Sequence, residues 1–168
     1  MSGYGQDGKW TKDFLKYLTA DGRRVPLDFF SFHGYARNPE AYAESAHHAR
    51  ELLDRYGYTG TEIILNEWNY IKGWTGENWK YSLRMEKSLK GASFTSASMI
   101  CAQNSPMTHF MYYDARPCGM CGMFNTDTLE PLKGYYPFLM FNALYQLKQE
   151  LPAASDTASK LNAATITS

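Results

Sequence analysis

A single acidic residue at the end of an apolar run is the strongest chemical signal in this sequence. Glu67 follows Ile63, Ile64 and Leu65, an unbroken apolar run typical of a parallel strand that is buried on both faces. Side chains alternate along a strand, so Ile63, Leu65 and Glu67 are predicted to share one face. An acid at the carboxyl end of a parallel strand lies where α/β barrels carry their catalytic groups. The alternative is a strand that ends in a solvated glutamate beside a core tryptophan, Trp68.

Composition and charge narrow the range of functions. The 168 residues are a usual length for one domain, and a hydrophobic content of 44% is enough for a core. Aromatic residues make up 15% of the chain, which suits stacking on sugar rings and a tyrosine-rich core equally well. The 17 basic and 17 acidic residues cancel, so we expect neither nucleic acid nor a membrane as a partner. No signal-peptide pattern follows Met1, and the compartment stays open, with a secreted bacterial parent still compatible.

Three cysteines offer little support for metal or redox chemistry. Cys118 and Cys121 have the CxxC spacing of a redox pair or of half a zinc site, whereas Cys101 has no such neighbour. A second CxxC or a matching histidine pair is missing, and Pro117 and Gly119 predict a loop instead of the helix that a thioredoxin-like motif opens. We therefore expect no metal and no cofactor. Whether Cys118 and Cys121 form a loop disulfide or stay free is left open.

The pattern of apolar residues predicts strands that alternate with helices. Strands are predicted at Leu27–His33, Ile63–Glu67 and Thr108–Tyr113. The remaining predicted elements are a first helix that buries Trp10, Phe14, Tyr17 and Leu18, a helix between Pro39 and Gly57, an aromatic loop from Trp68 to Trp79, a helix from about Leu83 to Gln103, and a last helix from Pro137 to about Leu151. This order predicts right-handed βαβ units, a parallel sheet and an α/β fold. Residues 1–151 would form this domain, and the Ala-, Ser- and Thr-rich residues 152–168 a tail or linker.

Three strands are too few to close such a sheet. We expect Ile63–Glu67 to lie in the middle, with Leu27–His33 and Thr108–Tyr113 as outer strands whose backbone groups are open to pairing. The chain is then either a piece of a larger barrel that needs its complementary part, or a protein that completes its sheet by self-association.

Three segments carry a resemblance to a known group of enzymes. LDFFSFHGY, ILNEWNY and HFMYYDAR, separated by helices, are similar to strands six, seven and eight of the clan A glycoside hydrolases, and most of all to family 39, the β-xylosidases and their relatives. The similarity covers residues 10–150 and implies part of a (β/α)8 TIM barrel. In that family a TEWN-like segment on strand seven carries the nucleophilic glutamate, and Glu67 matches it. His33 and Tyr35 match residues that line the sugar site at the end of strand six.

The resemblance also implies a set of sugar-binding residues, with Tyr112 as an alternative to Tyr113 on strand eight. The implied set is His33, Tyr35, Asn66, Trp68, Tyr113, Asp114 and Arg116. Asp114 and Arg116 are two residues apart at a strand end, so they would either pair with each other or bind a sugar hydroxyl.

The sequence departs from the family in one chemically important respect. The general acid/base of the family lies in an Asn-Glu-Pro segment on strand four, and this sequence contains neither that segment nor the first five strands. On the resemblance, both ends of the chain look cut. Glu77 and Asp114 are the loop carboxylates that could replace the acid, although such groups are usually solvated.

The resemblance therefore implies a retaining glycoside hydrolase, or a fragment of one, that acts on β-linked plant polysaccharide such as xylan or on its oligosaccharides. The alternatives are a non-catalytic carbohydrate-binding or assembly module derived from a glycosidase barrel, and a structural fragment that functions only within its parent.

Overall fold

The computed structural model describes residues 8–151 and 166–167, and this part of the chain has an α/β architecture. Its strands are β1 (Phe29–Ala36), β2 (Glu62–Tyr70), β3 (His109–Tyr112), β4 (Glu150–Leu151) and β5 (Ile166–Thr167). Its α-helices are α1 (Lys9–Leu18), α2 (Ala41–Arg55), α3 (Gly76–Glu86), α4 (Leu89–Gln103) and α5 (Tyr135–Leu147).

The first three strands form a parallel sheet with the order β1-β2-β3. The predicted α/β class, the parallel sheet and the central position of the Glu67 strand are confirmed. Helices follow β1, β2 and β3 in turn, so the architecture is consistent with three consecutive β/α units of a barrel. The strand ends differ from the prediction because β1 begins two residues later and continues to Ala36, while β2 continues to Tyr70.

A β-bulge at Asn66 interrupts the regular alternation of side chains in β2. Phe32 pairs with Leu65 and His33 pairs with Glu67, so Asn66 is an extra residue that has no partner in β1. The register between β2 and β3 also shifts after Leu65. Bulges of this kind turn the following side chains over and are common beside functional sites.

The bulge overturns the prediction that Ile63, Leu65 and Glu67 share one face. Ile63 and Leu65 are fully buried on the side of the sheet that packs against the helices. After the bulge, Trp68 takes that side, and Glu67 points to the opposite, open side together with its register partner His33. A one-residue insertion is sufficient because the side-chain period of a strand is two.

The core lies between the sheet and α2, with a contribution from α4. Residues that recur on one side of α2 are buried, and the predicted stripe is confirmed except for Tyr56, which is half-buried while Leu52 is buried. Tyr42 is the centre of this layer, because its ring contacts those of Trp68, Phe94 and Phe110 edge to face. Such aromatic contacts add to the free energy gained from apolar burial.

The first helix turns a different face to the core from the predicted one. Thr11, Leu15 and Leu18 are buried, whereas Trp10 and Tyr17 are 56% and 69% exposed. Trp10 stacks on Phe14 along the surface of the helix, with ring centroids 5.3 Å apart. Both faces of the helix carry large apolar residues, and the tertiary packing decides which of them is buried.

The segment after β2 is more helical than predicted. The predicted loop from Trp68 to Trp79 is mostly strand and helix, because β2 ends at Tyr70 and α3 begins at Gly76. The predicted helix from Leu83 to Gln103 is divided between α3 and α4, and Ser88 accepts a capping hydrogen bond from Lys90 N.

The junction between α3 and α4 requires glycine at position 91. A Cβ atom at Gly91 would lie 2.4 Å from the carbonyl oxygen of Met85 and 2.5 Å from that of Glu86, so the close contact between α3 and α4 requires glycine.

The last helix ends at Leu147, four residues before the predicted end, and Lys148 adopts a left-handed conformation there. The β4 strand pairs antiparallel with β5 in a separate two-stranded sheet. Most of the predicted tail or linker, residues 152–165 and 168, lies outside the described residues. In the described part of the chain, no helix is long and apolar enough to cross a membrane.

Candidate functional site

Glu67 lies near the carboxyl end of β2, where two side chains of β1 contact its carboxylate. The hydroxyl of Tyr35 donates a hydrogen bond to Glu67 Oε2 across 2.8 Å. His33 Nδ1 is also 2.8 Å from Oε2. No described residue contacts Oε1 with a hydrogen bond, and the Glu67 side chain is 23% exposed. The carboxylate is therefore held by one oxygen, and the other oxygen is free to react.

The environment keeps Tyr35 in its neutral, hydrogen-donating form. Burial raises the pKa of Tyr35 well above its usual range, and the hydrogen bond to Glu67 and the negative charge of that residue raise the pKa further. Because the phenol retains its proton at ordinary pH values, it stays a hydrogen-bond donor to Glu67.

An open pocket of about 410 Å³ surrounds this carboxylate. Its lining consists of His33, Tyr35, Glu67, Trp74, Tyr113 and Met120. The volume is within the range of small-molecule sites, and aromatic walls with few polar groups are typical of such sites. The structure thus brings together four of the eight residues that the sequence singled out. They are His33 and Tyr35 of β1, Glu67 of β2 and Tyr113, which directly follows β3.

Trp68 is a core residue and does not line the pocket, which corrects its predicted role in sugar binding. Its side chain is fully buried and stacks face to face on Phe110, with ring centroids 4.1 Å apart. The bulge at Asn66 is the physical reason, because it places Trp68 on the helix side of the sheet. Asn66 itself is exposed beside Glu67 but is not part of the pocket lining.

Asp114 and Arg116 form a pair with each other outside the pocket lining. Asp114 Oδ1 accepts a hydrogen bond from the backbone N–H of Arg116 (2.7 Å), and Oδ2 accepts one from Arg116 Nε (2.7 Å). Arg116 Nη2 lies 2.6 Å from the same Oδ2 in an ion pair. The guanidinium lowers the pKa of the Asp114 carboxyl, so this group is ionised and a poor proton donor. Glu77, the other predicted substitute for the acid, is exposed and pairs with Lys80 at 2.9 Å.

Asn69 is an important residue of this region that the sequence did not single out. Its buried amide donates to Tyr113 O (2.8 Å), Met120 O (3.0 Å) and the hydroxyl of Tyr112 (3.2 Å), while its oxygen accepts from Tyr70 N (2.7 Å). Asn69 therefore fixes the end of β3 and the loop that supplies Met120 to the pocket. Its position two residues after Glu67 in the same strand was the available signal.

Glu86 is a second residue that sequence patterns did not reveal. Its side chain is 2% exposed, and no described group makes a hydrogen bond with either carboxyl oxygen. Burial raises the pKa of Glu86 to about 8, so the folded protein holds this carboxyl neutral at pH 7. Its charge, once formed, would add to the burial that already raises the pKa values of Tyr35 and Tyr112.

Trp74 and Met120 complete the pocket and were also not predicted as site residues. Both lie in connections that leave the carboxyl ends of β2 and β3, which is the edge where such folds bind ligands. The aromatic richness of residues 68–79 was a signal for Trp74, but no pattern distinguished it from its neighbours.

The cysteines are free thiols, so the disulfide alternative for Cys118 and Cys121 is not realised. Cys121 is fully buried and accepts a hydrogen bond from Phe124 N, whereas Cys118 is half-buried near Asp114. Among the described residues, no group of three or more His, Cys, Asp or Glu side chains could hold a metal ion. The absence of a metal or redox role for the thiols stays a prediction.

Comparison with known proteins finds a similar solved structure. No family model matches the chain, and no curated protein matches it. A glucosidase from Croceicoccus marinus is 26% identical over the aligned part, with a TM-score of 0.48. The aligned part covers 63% of this chain and 21% of the glucosidase chain, so the chain spans about a fifth of the length of that protein.

Proposed function

We propose that this chain is a retaining glycoside hydrolase, or part of one, with Glu67 as its nucleophile. The observation that carries the proposal is the geometry at Glu67, a pocket-lining residue: Tyr35 and His33 both contact Oε2, and no described residue makes a hydrogen bond with Oε1. A carboxylate fixed by charge-assisted hydrogen bonds at one oxygen presents the other in a defined direction, as nucleophilic catalysis requires. The family 39 resemblance assigns the same role to the same residue.

The chemistry follows from this arrangement. Glu67 Oε1 attacks the anomeric carbon, a C–O bond forms to the carboxylate, and the bond to the leaving oxygen breaks with its electron pair. Water then hydrolyses the glycosyl ester and regenerates Glu67. In this proposal His33 and Tyr35 orient the nucleophile, and Tyr113, which lines the pocket, contacts a sugar hydroxyl.

A general acid for unactivated glycosides has to come from elsewhere. Retaining enzymes place two carboxyl groups about 5–5.5 Å apart, and of the described residues that line this pocket only Glu67 carries a carboxyl group. Asp114 and Glu77 are engaged in ion pairs. We therefore propose that the acid is supplied by a complementary part of a barrel or by a second copy of the chain, and that β-linked plant oligosaccharides such as those of xylan are the substrate class.

A covalent trap tests the proposed nucleophile without the missing acid. The 2,4-dinitrophenyl 2-deoxy-2-fluoro-β-xyloside has a leaving group that departs without protonation, and its fluorine slows hydrolysis of the glycosyl ester. We expect a mass increase of one sugar on the intact chain, located by peptide mapping at Glu67. Glu67→Gln should abolish the label, and the control Glu77→Gln, which changes an exposed carboxylate, should retain it. Labelling at another residue, or equal labelling of Glu67→Gln, would refute the assignment.

The second candidate is a non-catalytic carbohydrate-binding module. The observation in its favour is a pocket lined by Tyr35, Trp74 and Tyr113 with one carboxyl group, which is sufficient to bind a sugar but not to cleave a natural glycoside. Saturable oligosaccharide binding by a chain that never forms the covalent label would select this function.

A further inference from the structure

Trp74 forms an exposed aromatic wall of the Glu67 pocket. It lies in the short connection between β2 and α3, and 49% of the residue remains exposed although its indole lines the pocket. A large apolar surface left open beside a carboxylate costs hydration free energy unless a ligand covers it. This position therefore indicates a ligand with an apolar face.

The indole of Trp74 is held in place before any ligand arrives. One of its faces is stacked on Trp79 in α3, with ring centroids 5.6 Å apart and planes 20° from parallel. The rings of Trp74 and Tyr35 also contact each other, with centroids 4.9 Å apart and planes 80° apart. A wall supported in this way loses little conformational entropy on binding, which favours affinity.

The backbone at the start of the connection between β2 and α3 is also fixed, by hydrogen bonds to β1 and to α3. Ile71 N donates to Ala36 O of β1 across 2.9 Å. Lys72 N donates to the buried hydroxyl of Ser82 in α3, also across 2.9 Å. These bonds place the start of the connection against the strand that carries Tyr35, so Trp74 and the residues that hold Glu67 belong to one rigid unit.

We propose that Trp74 is the stacking platform for a pyranose ring whose hydroxyls are equatorial. The inference rests on the proposed function, because it takes the Glu67 pocket to be a sugar site. In such a ring the C–H groups point to the two faces and cover an indole, while the hydroxyls point outward around the rim. Besides Trp74, the pocket lining carries polar groups for that rim, namely the carboxylate of Glu67, the phenol of Tyr113 and the imidazole of His33. A linear polyol has the same hydroxyl groups but no rigid apolar face.

Xylotriose is the probe, since xylose is a pyranose with only equatorial hydroxyls in its β form. We would titrate it into the ¹⁵N-labelled full chain and follow the tryptophan indole N–H signals by NMR. We expect saturable binding that shifts the Trp74 signal, and a dissociation constant roughly tenfold higher for Trp74→Ala. Trp74→Phe should keep part of the affinity, because a smaller aromatic ring still stacks. Xylitol should not bind measurably.

Trp10→Ala is the matched control, because Trp10 is similarly exposed (56%) and stacked on a neighbouring ring but does not line the pocket. It should bind xylotriose like the unmodified chain. Absence of saturable xylotriose binding, or an unchanged dissociation constant in Trp74→Ala, would contradict the proposal that Trp74 is the stacking platform.

The two proposals fail in different ways. If the fluoroxyloside labels Glu67 while Trp74→Ala binds xylotriose normally, the assignment of Glu67 as nucleophile is kept and the role of Trp74 as a stacking platform is rejected. If Trp74→Ala loses binding while the chain never forms the label, the platform stands and the hydrolase function is wrong.

Discussion

The hydroxyl of Tyr35 in β1 donates a 2.8 Å hydrogen bond to Glu67 Oε2 in β2, across the edge of the sheet where the pocket opens. The two residues are not register partners, since Tyr35 pairs with Asn69 and His33 pairs with Glu67. Glu67 is therefore contacted by both of the β1 side chains that face the pocket, and the parallel register of the two strands fixes its carboxylate.

Removal of this hydrogen bond should slow covalent labelling of Glu67. Tyr35→Phe keeps the ring and its contact with Trp74 but deletes the donor, and hydrogen bonds to charged groups contribute about 1.5–3 kcal/mol. We expect the rate of labelling by the fluoroxyloside to fall by roughly 10- to 100-fold, as measured by intact mass against time. Tyr17→Phe, a change at a 69% exposed phenol on α1, should label at the original rate. An unaltered rate in Tyr35→Phe would show that the bond does not orient the nucleophile.

Replacement of Glu86 by glutamine should stabilise the protein, with an effect that grows as the pH rises. The folded-state pKa of about 8 exceeds the ordinary value of 4.5, so the folded chain retains a proton that the unfolded chain releases between these values. Stability is consequently lost as the pH rises from about 4.5 to about 8. Glu86→Gln lacks this loss, and we expect a gain on the order of a few kcal/mol at pH 8 but almost none at pH 4.

Urea unfolding of Glu86→Gln and the unmodified chain at several pH values measures this difference. Glu44→Gln, within α2, serves as a reference for the removal of a carboxyl group at another helical position. Two parallel stability curves between pH 4 and pH 8 would mean that Glu86 is ionised in the folded protein.

Gly122→Ala should destabilise the loop that supplies Met120. A Cβ atom at Gly122 would lie 2.4 Å from the carbonyl oxygen of Glu86 and 2.7 Å from the hydroxyl of Tyr112, and the carbonyl belongs to the backbone of α3. We expect a loss of about 1–3 kcal/mol in the free energy of unfolding, which chemical denaturation measures. Gly119→Ala, in the same loop, has no atom within 4 Å of its added Cβ and should be close to neutral. Equal stabilities of the two variants would contradict the close packing at Gly122.

The open edges of the sheet predict self-association. In the described residues, β1 and β3 each pair with β2 alone, and neither contains the lysine or proline that protects natural edges. Phe29 (55% exposed) and Met111 (49% exposed) add apolar surface on these outer strands. We expect sedimentation velocity at micromolar concentration to show dimers or larger species.

A charge on the open side of the sheet should shift this equilibrium toward monomer. Met111→Lys places a lysine on β3, while Leu139→Lys changes a similarly exposed residue (47%) on α5 and should leave the distribution unaltered. A compact, monodisperse monomer for the unmodified chain would show that its edges are not used for pairing.

The sequence by itself determined the three strands of the parallel sheet and the place of the acid. Apolar runs and helical periodicity depend on neighbouring residues in the chain, so they revealed three parallel strands, the buried stripe of α2 and the position of Glu67 at the end of the central strand. His33, Tyr35 and Tyr113 came from the resemblance to family 39, and the structure places all three around Glu67 in the pocket lining.

The tertiary structure alone decided which way these residues face and what they contact. The bulge at Asn66 depends on hydrogen bonds to both neighbouring strands, and it moved Trp68 into the core and Glu67 to the open side. Tertiary packing also decided which face of α1 is buried. The burial of the Glu86 carboxyl group without a hydrogen-bond partner depended on the packing of α3 against α4 and against the loop that contains Gly122. Contacts between residues far apart in sequence are not encoded in local periodicity, so only the folded chain could place Trp74 beside Tyr35 and Glu67.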